Sequence, residues 1–200
     1  MDSVIARLSR PKTGAPQWID PILFAGKALS RPRRIGAVLP SGAPLAKVMT
    51  RMVNGQTVVE LGPGSGSITR HLLNSLPPTG RLLALELDPD LARRLQHHVR
   101  DTRLVIRTGD AAGLEDCLQA LGWSPVDAVV SGIPFQALPV SSRDRILSAA
   151  RSGLAPGGRF IAFQYGLRLI PLFQNHFRRV HVLGPVWRNL PPAYVIVGLP

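Results

Sequence analysis

The sequence predicts an α/β fold, a doubly wound, mostly parallel sheet of seven strands with an N-terminal amphipathic helical extension. Three observations lead there. From Thr57 onward, short apolar runs alternate with helical patterns, as in a parallel sheet covered on both faces. Runs such as Ala128-Val129-Val130 are continuously apolar, as strands buried on both sides require. A glycine-rich turn separates the first strand from the helix behind it.

Taken in order, strands are predicted at Thr57–Leu61, Arg81–Leu85, Leu104–Arg107, Val126–Val130, Arg159–Gln164, Val180–Leu183 and Tyr194–Gly198. The last two are joined by a Pro-rich loop, so an antiparallel hairpin is expected at one sheet edge. Asp88-Pro89 reads as an N-cap followed by proline at the first helical position, opening a helix to about Val99. Ser141 or Ser142 is expected to cap a helix that ends before Gly157-Gly158. Ahead of Thr57 the pattern changes. Asp20-Pro21 opens a helix whose apolar surface comes from Trp18, Ile19, Ile22, Leu23, Ala25 and Leu29. Lys27, Arg31, Arg33 and Arg34 gather at its C-terminal end, where Pro32 stops it. Ser41 is expected to cap a second helix running to about Val53, with Pro44 tolerated in its first turn. The chain therefore divides into an N-terminal helical part, residues 1–56, and an α/β domain, residues 57–200.

With 45% hydrophobic and 18% charged residues over 200 positions, the chain is neither a disordered segment nor a membrane-spanning bundle. No apolar run reaches the roughly 20 residues needed to cross a bilayer, and no signal peptide is expected at the N-terminus. Cys117, alone, forms no internal disulfide and reads as a small buried hydrophobe. No metal site is expected. The net charge of +12 implies a polyanionic partner. Only Asp2 and Asp20 precede Glu60 among the acids, and none follows Asp144, so both ends of the chain are almost purely basic.

The most specific signal is Glu60-Leu61-Gly62-Pro63-Gly64-Ser65-Gly66, a glycine turn at the end of a strand. Its G-x-G-x-G spacing differs from the G-x-G-x-x-G of dinucleotide sites. Glu60 would repel a pyrophosphate but suits the cationic methionyl part of S-adenosylmethionine. Glu86, ending the second strand, can accept from ribose hydroxyls, and Asp110, after the third, from an adenine amino group. Three acids at the carboxyl ends of successive strands lie on the edge where open α/β sheets bind ligands. S-adenosylmethionine is therefore the expected cofactor and S-adenosylhomocysteine the product. Gly62, Gly64, Gly66 and Ser131 complete the expected cofactor site.

On the acceptor side, the fourth strand runs into Ser131-Gly132-Ile133-Pro134-Phe135. Enzymes that methylate adenine carry N-[LP]-P-[YF] in this loop; here Gly132 holds the Asn position, which argues against a flipped-out adenine. Phe135 retains the aromatic, as a substrate contact or as a residue packed over the sheet edge. Tyr165, after the fifth strand, is read as the group that orients the acceptor amine, or as a core aromatic with a satisfied hydroxyl. Tyr165 and Ser131 are the catalytic candidates. No His–Asp pair stands out as a base; His176 and His181, flanking Arg178-Arg179, read as part of a basic face.

The blocks Arg33-Arg34-Ile35-Gly36-Ala37-Val38-Leu39-Pro40-Ser41, Glu60 to Gly66, Ser131-Gly132-Ile133-Pro134 and Asn189-Leu190-Pro191-Pro192-Ala193 resemble the soluble bacterial phospholipid N-methyltransferases. Those are class I enzymes with a Rossmann-like domain that carry phosphatidylethanolamine toward phosphatidylcholine; relatives act on ornithine lipids. The resemblance covers nearly the whole chain. It implies cofactor binding by Glu60, Gly62, Gly64 and Glu86, and a membrane-anchoring role for the N-terminal helix. A helix with an apolar face, Trp18 and flanking cations also suits an anionic interface on physical grounds, each cation contributing on the order of 1 kcal/mol. Its alternative is a lid docked over the cofactor. Trp18, Arg33, Arg34, Phe135, Arg178, Arg179, Arg188 and Asn189 are the expected lipid contacts, the arginines through the phosphate. The implied setting is cytoplasmic, peripheral on the inner face of the membrane. Expected partners are an anionic surface and an amino-phospholipid, without an obligate nucleic acid or a protein partner. Two other readings stand beside it: an RNA adenine N6-dimethyltransferase using the charge for phosphate contacts, and a non-catalytic binding module on the same scaffold.

Overall fold

The computed structural model describes residues 42–123, 125–189 and 191–200. Trp18, Arg33, Arg34, the predicted amphipathic helix and the Ser41 cap lie outside them. Seven strands form one sheet: β1 (Thr57–Leu61), β2 (Arg81–Glu86), β3 (Leu104–Thr108), β4 (Val126–Ser131), β5 (Leu154–Gln164), β6 (Arg179–Val186) and β7 (Ala193–Leu199). The helices are α1 (Ala43–Arg51), α2 (Ser67–Ser75), α3 (Pro89–His98), α4 (Leu114–Leu121), α5 (Val140–Gly153) and α6 (Ile170–His176). The strand order is β3-β2-β1-β4-β5-β7-β6, with β7 antiparallel to both its neighbours and the other recorded pairs parallel. The predicted hairpin exists, but its second strand lies inside the sheet and β6 forms the edge.

Successive side chains of a strand face opposite sides, and the core divides accordingly. Val59, Leu61, Leu83, Val129 and Phe160 pack on one side with α4, α5 and α6. Val58, Leu82, Ala128, Val130, Ile161 and Val195 pack on the other with α1 and α2. Helix α1 is part of that second layer through Leu45, Ala46 and Met49, each fully buried. Its first residues are held where the Gly42 N–H donates to Asn189 Oδ1 at 3.0 Å. Beyond its other end, Arg159 donates to the Met52 carbonyl at 2.9 Å and Asn54 to the Gly157 carbonyl at 3.3 Å. The Asp127 carboxylate accepts from the N–H groups of Gln56 and Thr57 and seats the start of β1.

Boundaries differ from the prediction at α5, at β5 and at the end of β6, which runs to Val186 where Leu183 was expected. Helix α5 begins at Val140 behind Pro139, without a side-chain cap; Ser141 and Ser142 lie within its first turn. Pro139 sets the chain direction at the helix entrance, and no side chain takes the capping role expected of the serines. Strand β5 starts at Leu154, ahead of Gly157-Gly158, because Leu154 pairs with Val126 before a bulge resets the register to Ala128 with Arg159. Asp88 caps α3 as predicted, its Oδ1 accepting from the N–H groups of Asp90 and Leu91.

Candidate active site

The carboxyl ends of β1, β2 and β4 meet at one edge, fixed by the register Leu61 with Leu85 and Leu61 with Ser131. Gly62, Gly64 and Gly66 all have positive φ, of 68°, 53° and 76°, a conformation that L side chains adopt only with strain. The three serve different ends. A Cβ on Gly62 would lie 2.9 Å from the Ile133 side chain, and one on Gly66 would lie 2.5 Å from Leu95, so both permit close packing of the turn. A Cβ on Gly64 would meet nothing within 4 Å. Gly64 therefore faces open space at the strand edge, where a ligand approaches.

Glu86 is buried at the end of β2; its two carboxylate oxygens accept from Gly64 N–H at 2.9 Å and Asp88 N–H at 3.1 Å. Burial raises its pKa, and these backbone donors oppose the rise. One carboxylate thus fastens the glycine turn to β2 and retains lone pairs for a ligand's hydroxyls. Glu60 is fully buried on the α2 side of β1. Burial pushes its pKa up to about 8; Thr69 beside it opposes the shift and the Glu86 charge adds to it. Asp110 caps a 3₁₀ turn through Ala112 N–H at 2.9 Å and faces Arg145 at 3.4 Å, half-exposed beyond β3.

Among the described residues, the buried side-chain polar atoms without a hydrogen-bond partner are both oxygens of Glu60, Thr69 Oγ1, Gln164 Nε2 and the Tyr165 hydroxyl. Each belongs to a residue at or just beyond the carboxyl edge of the sheet. Buried polar groups in proteins are normally paired, and one left unpaired costs about 1–3 kcal/mol. Glu60 and Thr69 form one pair of orphans beside the glycine turn. A cationic ligand at this place would favour the Glu60 carboxylate over its protonated form and give the buried oxygens a partner, so the site fits S-adenosylmethionine. Gln164 and Tyr165 form a second pair, in a recess of about 290 Å³ shared with Pro134, Gln136, Ala137 and Phe163. Burial raises the Tyr165 pKa, with Asn189 opposing, so at neutral pH its hydroxyl is a neutral phenol. Thr69 and Gln164 carry no signal in the sequence that singles them out. Their roles come from facing Glu60 and the recess.

Several predicted contacts are corrected. Phe135 is fully buried and packs edge-on against Phe160 and Phe173, at ring distances of 6.3 and 5.6 Å, so it belongs to the core. Ser131 is fully buried, and its hydroxyl accepts from Ile133 N–H at 3.2 Å, shaping the loop. Asn189 is buried and clamps structure, accepting from Gly42 and donating to the Pro191 carbonyl at 2.7 Å. Arg178 and Arg179 do not converge with Arg188, because they stand at opposite ends of β6. Its eight residues, at about 3.3 Å each, separate the two groups, and only Arg188 is at the cofactor edge. His176 is not part of a free basic face; its Nε2 meets Asp144 Oδ1 at 3.0 Å and ties α6 to α5. Gly132 is forced, since a Cβ there would lie 2.7 Å from the Gly62 carbonyl oxygen. Cys117 is half-buried, and burial raises its thiol pKa. No helix among the described residues is long and apolar enough to cross a membrane.

A seven-stranded sheet with one antiparallel strand, a glycine turn after β1 and buried carboxylates at the ends of β1 and β2 define an S-adenosylmethionine-dependent methyltransferase. The chain belongs to the methyltransferase-domain family, whose model matches residues 59–160. It is 32% identical over 183 residues to an ornithine lipid N-methyltransferase of Singulisphaera acidiphila, covering 87% of this chain and 93% of that protein. It is also 38% identical over 96 residues to ribosomal RNA small subunit methyltransferase A of Thiobacillus denitrificans; that match spans 46% of this chain and about a third, 36%, of the relative. Aeropyrum pernix fibrillarin, solved with natively bound S-adenosyl-L-methionine, shares the fold at a TM-score of 0.58 and 21% identity, over 77% of this chain and 73% of that one.

Proposed function

We propose that this chain methylates the head-group amine of an amino-lipid at the surface of an anionic membrane. Phosphatidylethanolamine, carried toward phosphatidylcholine, and an ornithine lipid are the two head groups to set against each other. The observation that carries the reading is the orphaned pair in the recess beyond β4 and β5. The Tyr165 hydroxyl and Gln164 Nε2 are buried there without partners, beside a loop in which Gly132 leaves no room for an adenine-clamping asparagine. A match along almost the full length of a lipid N-methyltransferase supports it.

The cofactor supplies a methyl group already activated on a sulfonium. The protein's own work is to align, desolvate and deprotonate the acceptor. The Gln164 Nε2 donor and the Tyr165 hydroxyl, which can donate or accept, are set beside the apolar walls of Pro134, Ala137 and Phe163, where an amine would sit. As a neutral phenol, Tyr165 accepts a hydrogen bond from the amine and aims its lone pair; the amine's proton leaves to solvent. Glu60 and Glu86 are the residues that would hold the cofactor's cationic and hydroxyl-bearing parts.

Methyl transfer from radiolabelled cofactor tests this, offering phosphatidylethanolamine or an ornithine lipid in anionic vesicles and, separately, a structured RNA. Label in lipid, lost in Glu60→Ala and reduced in Tyr165→Phe, is expected. Label in RNA alone overturns the reading in favour of a nucleic-acid methyltransferase.

A further inference from the structure

We propose that the groove between α1, α2 and the β6–β7 turn is the seat of the head group's anion, a phosphate or a carboxylate, and that it positions the lipid whose amine enters the Tyr165 recess. This deepens, and rests on, the amino-lipid reading. The groove measures about 570 Å³ and is lined by Lys47, Arg51, His71, Trp187 and Arg188, with Val48 between the two α1 cations. No carboxylate lines it among the described residues.

Some cations of the molecule are already engaged. Arg93, Arg103 and Arg145 pair with acids, and Arg159 is spent on a carbonyl. Lys47, Arg51 and Arg188 are exposed, and none has an ion-pair partner among the described residues. Lys47 and Arg51 stand four residues apart on one helix face, where like charges repel. Arg188 comes from a segment distant in the chain to the same place. His71 donates Nδ1–H to the Ser67 carbonyl at 3.0 Å, which leaves Nε2 uncommitted. Three unneutralised cations in a concave site complement an anion that brings its own charge.

The size and lining select the occupant. The volume lies in the range of small-ligand sites, whereas a polynucleotide needs an extended track of cations. Trp187, 75% exposed, gives the rim an indole of the kind that settles at a lipid head-group boundary. The chain's own first 41 residues are a poor occupant on charge, with seven Lys and Arg against Asp2 and Asp20. Among the described residues none lines both the groove and the recess, but Asn189 links them. It follows Arg188, holds Gly42 at the start of α1, and neighbours Tyr165. A head group reaching past Asn189 would place its anion among the cations and its amine at the phenol.

Short-chain monomeric lipids test the site without the contribution of a charged membrane surface. Acceptors are dihexanoyl phosphatidylethanolamine, a short N-acyl ornithine and an alkylamine lacking any anion, each with the wild type, Lys47→Gln, Arg51→Gln and Arg188→Gln. Each substitution is expected to raise the KM for an anion-bearing acceptor about tenfold more than for the alkylamine. The head group that shows the larger difference identifies phosphate or carboxylate as the anion. Equal losses on all three acceptors, or none, overturn the proposal. Glycerophosphoethanolamine binding, followed by calorimetry in the same variants, separates the two levels of inference. Binding that depends on the cations without turnover on any lipid keeps the groove and removes the lipid reaction. Weakened binding of a structured RNA, with head-group binding intact, overturns the groove in favour of a nucleic-acid contact.

Discussion

Gly42 and Asn189, 147 residues apart, are joined by one hydrogen bond of 3.0 Å from the backbone N–H of the first to Oδ1 of the second. This bond seats the start of α1 against the β6–β7 turn, and the Asn189 amide spends a second bond on Pro191 at 2.7 Å. Asn189→Ala removes an acceptor and a donor from a buried place, with a loss of about 1–3 kcal/mol of stability. Thermal unfolding reads the loss. Because the side chain also neighbours Tyr165, the KM for the amine acceptor is expected to rise more than the Kd for the cofactor.

Glu60 makes cofactor affinity depend on pH. In the cofactor-free protein its pKa lies near 8, against 4.5 for the free side chain. Between those values the folded state holds a proton that the unfolded state has lost, so stability falls as pH rises from 4.5 through 8, by up to roughly 5 kcal/mol. A cationic ligand favours the carboxylate, so binding below pH 8 expels that proton. Cofactor affinity is expected to climb between pH 6 and pH 8, by at most about tenfold per pH unit. Calorimetry in buffers of different ionisation enthalpy reports the released proton. Glu60→Gln is expected to bind weakly and with a flat pH profile.

Gly64 and Gly132 separate space kept for the cofactor from space filled by the fold. Gly64→Ala adds a methyl group in open space at positive φ, with about 1–2 kcal/mol of backbone strain. The protein should stay folded while cofactor affinity drops. Gly132→Asn drives a side chain into the Gly62 carbonyl, 2.7 Å from its Cβ, and shifts the glycine turn. Equilibrium binding should show a cofactor loss of more than tenfold, with no gain of activity on RNA. A Gly132→Asn variant that binds cofactor normally would show that the turn tolerates the clamp residue.

Phe135 is expected to matter for stability alone. Phe135→Ala empties a fully buried site against Phe160 and Phe173, with a loss of about 3–5 kcal/mol. Phe135→Leu fills most of that space, and denaturant unfolding should show a much smaller loss. The acceptor KM should be the same in Phe135→Leu as in the wild type.

Five strands, β1 to β4 and β7, are legible in the sequence to within a residue at each end because each is an apolar run that stops where the chain turns. Glu60 and Glu86 are legible for the same reason, since an acid inside or ending such a run has few structural excuses. The start of β5 is hidden, because Ala155-Pro156-Gly157-Gly158 reads as a turn and only its pairing with β4 reveals a strand. Phe135 was ambiguous by nature: whether an aromatic faces a ligand or the core depends on α6, whose Phe173 is distant in sequence. Arg178, Arg179 and Arg188 look like one basic cluster in the chain, and the strand between them carries them apart. The cationic groove is invisible at the level of motif, since Lys47, His71 and Arg188 come from three separate stretches.

The sheet order has a consequence for biosynthesis. Strand β7 occupies the place between β5 and β6, yet it is the last of the seven to be made. While the chain emerges from the ribosome, β5 keeps an open edge, and β6 has no neighbour to join until residues 193–199 are available. A nascent chain arrested before Leu199 exposes the β5 row of unpaired N–H and C=O groups, with Phe160 and Phe163 along it, to any other strand. Closure of the sheet and the pairing of Tyr194 with Gln164 are therefore late and simultaneous events, so stalled synthesis yields an aggregation-prone species that holds the cofactor strands beside an open edge.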